Sequence, residues 1–357
     1  MRDCGDYAAQ YAPCLPDQRP PHLDRPRGLR TDDGAPAEKS VLFLLEVVRK
    51  LRWAYTARVK RIVVSGGTGY IGRALVERLV GRGDSVTVLT RGVGREGNPR
   101  HVSWNPYELG EWGKVLDGVD AVVNLVGEQA IGVRYTDERK RRIRDSRVIP
   151  TSNLARALAA LANRPSVLVS ASGINYYGPH PASERVDESY PAGADFLARL
   201  CVDWESACDP ARSLGVRVVN PRISPVLGPG GGALKTMALP FKLFVGGKLG
   251  SGEQGFPWIH LDDAIAALLL CIDDETLPGK VNLCAPDAAS NAQASDAIAK
   301  SLHRPNWLPV PGFALKALFG EGAEPILTGL YPTPRALLKH EFRFAHPALL
   351  GALEASA

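Results

Sequence analysis

The chain has 357 residues, 45% of them apolar, and a formal net charge of +5. That length accommodates one large α/β domain with a smaller lobe, and its apolar stretches, such as 40–48, fall short of the roughly 20 residues that cross a bilayer. The small, dispersed charge argues against a nucleic-acid footprint, and six cysteines with no C-x-x-C pair or neighbouring histidines argue against a metal site and for a reducing compartment.

Residues 1–39 are rich in Pro, Arg and Asp with almost no apolar periodicity, so disorder is expected there. In 40–55, Ser40 offers an N-cap and Leu44, Leu45, Val48 and Leu51 recur at helical spacing. Such a helix suits docking to a protein partner, a membrane-surface anchor or part of an organelle-targeting segment. Eight acidic residues in the first 46 argue against a transit peptide, and no secretory signal opens the chain. The expected location is the cytoplasm, or the interior of a mitochondrion or plastid if the extension is a targeting segment.

The most informative segment is 61–91. An apolar strand, Arg61 to Ser65, runs into glycines at Gly66, Gly69 and Gly72, then a helix with Leu75, Leu79 and Val80, then a second strand ending in Thr90 and Arg91. Read from Gly66 the spacing is G-x-x-G-x-x-G, with Gly67, Thr68, Tyr70 and Ile71 completing the loop. This is a βαβ unit suited to a dinucleotide: glycine lets the backbone approach a pyrophosphate, and the helix that starts near Tyr70 aims its free N–H groups at the phosphates. At the end of the second strand a carboxylate would bind the ribose hydroxyls of NAD, whereas an arginine pairs with a 2′-phosphate. Arg91 therefore favours NADP (NADPH) over NAD.

Alternation continues with a strand at 120–127, a helix at 151–161, a strand at 165–172, a helix at 196–214 and a strand at 216–220, the pattern of a doubly wound parallel sheet. The basic run of Lys140, Arg141, Arg142, Arg144 and Arg147 reads as a solvated helix face near an anionic cofactor. Beyond 223 come glycine-rich loops at 228–232 and 246–255, then Trp258 to Asp263 opening a helix that Asp262 or Asp263 can cap or, equally, leave free as ligands. The expected organisation is an extension over 1–58, a Rossmann domain over 59–300 with 223–260 contributing to a substrate lobe, and a C-terminal domain over 301–357.

The motifs Gly66 to Gly72, Val123 to Glu128, Ser146-Arg147-Val148 with Thr151, Ser170-Ala171-Ser172 with Tyr176-Tyr177-Gly178, and Trp258 to Asp263 resemble the extended or atypical short-chain dehydrogenase/reductases. More closely they resemble the "epimerase family" proteins described as nucleoside-diphosphate-sugar epimerase-like. The likeness runs from about 61 to 353 and implies a Rossmann fold with a small C-terminal substrate lobe. It implies cofactor contacts at the glycine turn, at Thr90 and Arg91, at Asn124, Leu125 and Gly127, at Ser170, and at Arg222, which is otherwise a buried ion partner.

Active relatives use a Ser with a Tyr-x-x-x-Lys pair, in which the lysine charge lowers the tyrosine pKa. Aligned on Glu205, those two positions hold Leu197 and Cys201. Ser172 keeps its place, with Ser170 as alternative, and Tyr177 or Tyr176 is the candidate substitute acid, or a packing residue with one hydrogen bond. His260 is expected to hydrogen-bond locally. The resemblance implies an NADP-dependent oxidoreductase or epimerase acting on a small carbonyl or a sugar nucleotide. The missing pair implies instead a weak or inactive NADP(H)-binding structural or regulatory protein that acts through a protein partner, and the extension suggests an organelle division or assembly factor.

Overall fold

Short runs of β-branched residues build the centre of the computed structural model, which describes residues 59–356; the expectations for 1–39 and 40–55 lie outside the described residues. Strands β1 (Arg61–Ser65), β2 (Ser85–Thr90), β3 (Arg100–Ser103), β4 (Ala121–Asn124), β5 (Val167–Ser170), β6 (Arg217–Ile223) and β7 (Lys280–Leu283) lie in the order β7-β6-β5-β4-β1-β2-β3. Every neighbouring pair is parallel. A two-residue strand, Ser172–Gly173, follows β5 and also pairs with β6. Helices cover both faces, so Val63, Val64, Val122, Val123, Val169 and Val219 are all buried. The chain reverses direction across the sheet between β1 and β4, and ligands of such sheets bind at that switch point, beyond the carboxyl ends of the strands.

Helix α1 (Tyr70–Gly81) buries Leu75, Val76 and Leu79 against one sheet face beside α6, introduced below. Helix α2 (Asp137–Ala157) begins well before the expected Thr151. Thr136 caps it, its hydroxyl accepting from Arg139 N at 3.1 Å, and it runs through Pro150. A proline inside a helix costs about 3 kcal/mol, but Ile143, Leu154 and Ala155 bury the inner face on both sides of it. The expected helix over 196–214 is two: α3 (Phe196–Ser206), capped by Asp195, and α4 (Asp209–Ser213), which restarts with Pro210 in its first turn.

Strand β6 extends beyond Asn220 through Pro221, paired in register with Val281 of β7. Neither β3 nor β7 was expected, since four residues are too few to show a period. Next come α5 (Gly232–Lys242) and α6 (Leu261–Asp273). The cap of α6 is not an aspartate: His260 Nδ1 accepts from Asp262 N at 3.2 Å. Asp263 instead accepts from Ala345 N (2.7 Å) and His346 N (3.0 Å), tying the C-terminal segment to this helix. Helices α7 (Asn291–Ser301) and α8 (Gly312–Phe319) lead into the rest of the lobe. Cys201, Cys208, Cys271 and Cys284 are buried and unpaired.

Candidate dinucleotide and substrate site

The first and third glycines of the turn are sterically required. Gly66 has φ +77°, and a Cβ on it would lie 2.7 Å from the Leu125 carbonyl carbon. A Cβ on Gly72 would lie 2.1 Å from Gly66 O, so α1 rests directly on the turn. Gly69 is different: a Cβ there meets only Gly66 O, at 3.2 Å, and Gly69 and Thr68 are both exposed. Gly67, Gly69 and Gly72 also satisfy the tighter G-x-G-x-x-G spacing, which reading from Gly66 passes over; the left-handed turn nonetheless sits at Gly66. No acidic residue occupies the first turn of α1, and its leading N–H groups have no intrahelical acceptor. This open, backbone-lined turn fits an anionic pyrophosphate.

Tyr70 packs against the glycine-rich loop at 228–232. A Cβ on Gly228, Gly231 or Gly232 would come within 2.7 Å of its side chain, and its hydroxyl donates to Pro229 O at 3.2 Å. Burial, then the nearby Asp262 charge, raises its pKa. Ile71 packs partly buried on the core. Register pairing of Ser65 with Leu89 places Thr90 and Arg91 beside the Gly66 turn. Thr90 Oγ1 accepts from Gly92 N. Arg91 is exposed, and among the described residues no salt bridge engages it.

Asn124 ends β4 as a buried hub. Its Oδ1 accepts from Ser65 Oγ (2.8 Å) and Val126 N (3.3 Å), and its Nδ2 donates to Thr151 Oγ1 (2.8 Å) and Ser170 Oγ (3.2 Å). Two donors and two acceptor sites are thus all used inside the protein, and neither Asn124 nor Ser170 is solvent-accessible. Leu125 donates its N–H to Ser65 O. Gly127 is exposed, with the Arg147 guanidinium behind it: a Cβ would sit 3.2 Å from that group.

Arg147 departs from the solvated face expected of the basic run. It donates to Glu128 O (2.5 Å) and Ile143 O (3.0 Å), lies 5.1 Å over the Trp204 ring, and has its pKa lowered by burial. Of the others, Lys140 pairs with Glu321, Arg142 with Glu128 and Arg144 with Asp203. Carboxylates of the protein thus pair with Lys140, Arg142 and Arg144.

Ser172 and the tyrosines join a second buried network. Ser172 Oγ donates to Glu205 Oε1 at 2.8 Å, and Arg222 grips both Glu205 oxygens. Arg222 Nη1 donates to the Tyr177 hydroxyl (2.8 Å), which donates onward to Asn282 Oδ1 (2.7 Å). The Arg222 guanidinium also lies 3.3 Å over the Tyr176 ring. Burial pushes Tyr177 up to about 12 despite the Arg222 charge. Of the two roles open to Arg222, the geometry realises the ion partner.

A small cavity of about 30 Å³ lies between α3 and the C-terminal lobe, lined by Tyr135, Asn175, Asp195, Leu197, Glu321 and Glu324 among others. Leu197 therefore presents hydrocarbon where the resemblance expects a phenol. Cys201 sits one turn on, its thiol donating to Gly173 O at 3.6 Å and pushed up to about 12 by burial. No local pattern marks Tyr135, Asn175 or the lobe carboxylates as cavity residues, because their meeting depends on tertiary packing.

A doubly wound parallel sheet with a glycine turn at its switch point defines a Rossmann-type protein of the short-chain dehydrogenase/reductase kind. The chain belongs to the NAD dependent epimerase/dehydratase family, which matches residues 62–284, and a domain of unknown function (DUF1731) matches 310–356. It is 39% identical to epimerase family protein MT2273 of Mycobacterium tuberculosis, covering 82% of this chain and 96% of that one. It is 38% identical to the chloroplastic SDR39U1 homolog of Arabidopsis thaliana, covering 82% and 86%. The crystal structure of human epimerase family protein SDR39U1 (isoform 2) with NADPH superposes with a TM-score of 0.74 at 33% identity, covering 83% of this chain and 99% of that one.

Proposed function

We propose that the protein binds NADPH and holds it without the tyrosine–lysine acid–base chemistry of active epimerases, serving as a weakly catalytic or non-catalytic dinucleotide-binding protein that acts through a partner. The observation that carries this reading is that the Ser172 and Tyr177 protons are both spent on buried protein acceptors, Glu205 and Asn282. Leu197 has no proton to give, and the Cys201 thiol spends its own on Gly173 O. The open turn at Gly69 and the exposed Arg91 support pyrophosphate and 2′-phosphate contacts, and the human relative solved with NADPH supports the same cofactor. Bound NADPH supplies a hydride donor; Gly66 to Gly72, Thr90, Arg91, Leu125 and Gly127 orient it. A protein partner reached through 40–55 completes the reading.

A second reading is turnover of a small carbonyl at the cleft beside Leu197. Asp195, Glu321 and Glu324 line it, which disfavours the diphosphate of a sugar nucleotide. Fluorescence titration with NADPH, followed by a panel of aldehydes, quinones and sugar nucleotides, separates the two. Tight NADPH binding with no oxidation above background supports the first; turnover abolished by Ser172→Ala with binding intact overturns it. Deleting 1–58 is expected to impair partner binding while leaving NADPH affinity unchanged, and retained partner binding removes that segment from the proposal.

A further inference from the structure

Two segments of the lobe, 229–252 and 297–320, contain Lys235, Lys242, Lys248, Lys300, Arg304 and Lys316 and not one aspartate or glutamate. They meet where 244–250 runs beside 304–310. Trp307 N and Leu308 N donate to Gly246 O (3.2 and 3.1 Å), Val310 N donates to Lys248 O (2.9 Å), and Trp307 Nε1 donates to Phe244 O (2.9 Å). Arg304 lies 4.8 Å over the Phe244 ring.

The apolar side chains here project outward. Phe313 is 77% exposed, Trp307 63%, Leu243 and Leu318 62%, Leu239 55% and Phe244 54%. Large side chains are rarely left so open in one region without a partner. Phe244 is further held at φ +63°, a left-handed conformation costly for a bulky residue and often retained where the side chain has a use.

We propose that this face docks on the surface of a lipid bilayer carrying anionic headgroups. Trp, Phe and Leu side chains enter the interfacial layer while the surrounding lysines and arginine meet the lipid phosphates, a pairing typical of peripheral binding. A second copy fits less well, because a two-fold contact sets the same cations against one another. A helical protein ligand requires a groove, whereas side chains this exposed stand clear of the surface. The inference goes beyond the NADPH reading and does not depend on it.

The test is flotation of the full chain with vesicles of phosphatidylcholine alone or with about 30 mol% phosphatidylglycerol. Binding is expected only to the anionic vesicles, weakening with salt and shifting tryptophan emission to the blue. Trp307→Glu with Phe313→Glu, and separately Lys242→Glu with Arg304→Glu, should each lower the bound fraction at least about tenfold. Both pairs lie on the surface, so NADPH affinity and melting midpoint should hold. Absence of binding overturns the proposal. So does equal binding by the wild type and both variants, which places the contact elsewhere in the chain. A dimer that Phe313→Glu dissociates, with no vesicle binding, overturns it in favour of a second copy.

Discussion

Arg222 and Glu205 form a two-point ion pair inside the protein, Nε to Oε1 at 2.8 Å and Nη2 to Oε2 at 3.0 Å, with Arg222 wholly shielded from solvent. Burial works against the arginine charge, but Glu205 outweighs it and holds the Arg222 pKa above its ordinary value. Strand β6 supplies one partner and α3 the other, so the pair ties the sheet to the helix that lines the cavity. Removing one member of a buried pair leaves a charge stranded, at a cost of about 3–5 kcal/mol. We predict a loss of that size for Glu205→Ala in urea unfolding, with most of it recovered by Glu205→Leu combined with Arg222→Met. A loss under about 1 kcal/mol for the single variant would show that the pair contributes little.

The two inner contacts of the glycine turn lead to opposite expectations for neighbouring glycines. A Cβ on Gly72 falls 2.1 Å from Gly66 O, backbone that can move only by parting α1 from β1. Gly72→Ala should therefore destabilise the fold, by roughly 1–3 kcal/mol as overpacking does. Gly69→Val brings a Cβ to 3.2 Å from Gly66 O, a tight contact but far milder than that at Gly72, and covers the face where phosphate would lie. It should lose less stability than Gly72→Ala and bind NADPH at least about tenfold more weakly, a loss of about 1.4 kcal/mol. Unchanged NADPH affinity in a folded Gly69→Val protein would remove the pyrophosphate from this turn.

The sheet was legible where local chemistry repeats. Ile62 to Val64 and Val122 to Val123 are continuous apolar runs, and the glycines after β1 mark the turn that the structure places at Gly66. Much less of α2 was visible, because its first half, Asp137 to Asp145, is mainly charged and its burial rests on Ile143 and on ion pairs to distant Glu321 and Asp203. Ser172, Tyr177 and Arg222 were recognisable as polar residues at strand ends. That they spend their hydrogen bonds on one another and on Glu205 and Asn282 is decided by partners 17 to 105 residues away, which no local pattern encodes. The capping role of His260 was half legible: a local hydrogen bond was expected, and the aspartates beside it concealed which residue caps.

Arg91 tests cofactor choice. It stands exposed beside the Gly66 turn, just past the end of the strand neighbouring β1, as a charge able to meet a 2′-phosphate. A charge-assisted hydrogen bond contributes about 1.5–3 kcal/mol. Arg91→Ala is thus expected to weaken NADPH binding about ten- to hundredfold and leave NADH binding nearly unchanged, both measured by nucleotide fluorescence. Equal loss for the two nucleotides, or none, would refute the 2′-phosphate contact.

His260 gives the fold a pH dependence whose direction follows from its surroundings. The imidazole is buried, its Nδ1 accepts the Asp262 N–H, and its Nε2 has no partner among the described residues. Burial first, then the His346 ring at 3.8 Å, lowers its pKa, against an upward pull from Asp262 and Asp263. Below the ordinary histidine value of about 6.5 the unfolded chain takes up a proton that the folded chain resists, so stability falls as pH drops through that value and goes on falling until the lower folded pKa is reached. His260→Asn keeps a capping acceptor without a titrating ring. Urea unfolding between about pH 7.5 and pH 5 should show a decline in the wild type that is smaller in the variant. Parallel declines in the two proteins would show that other groups carry the acid sensitivity.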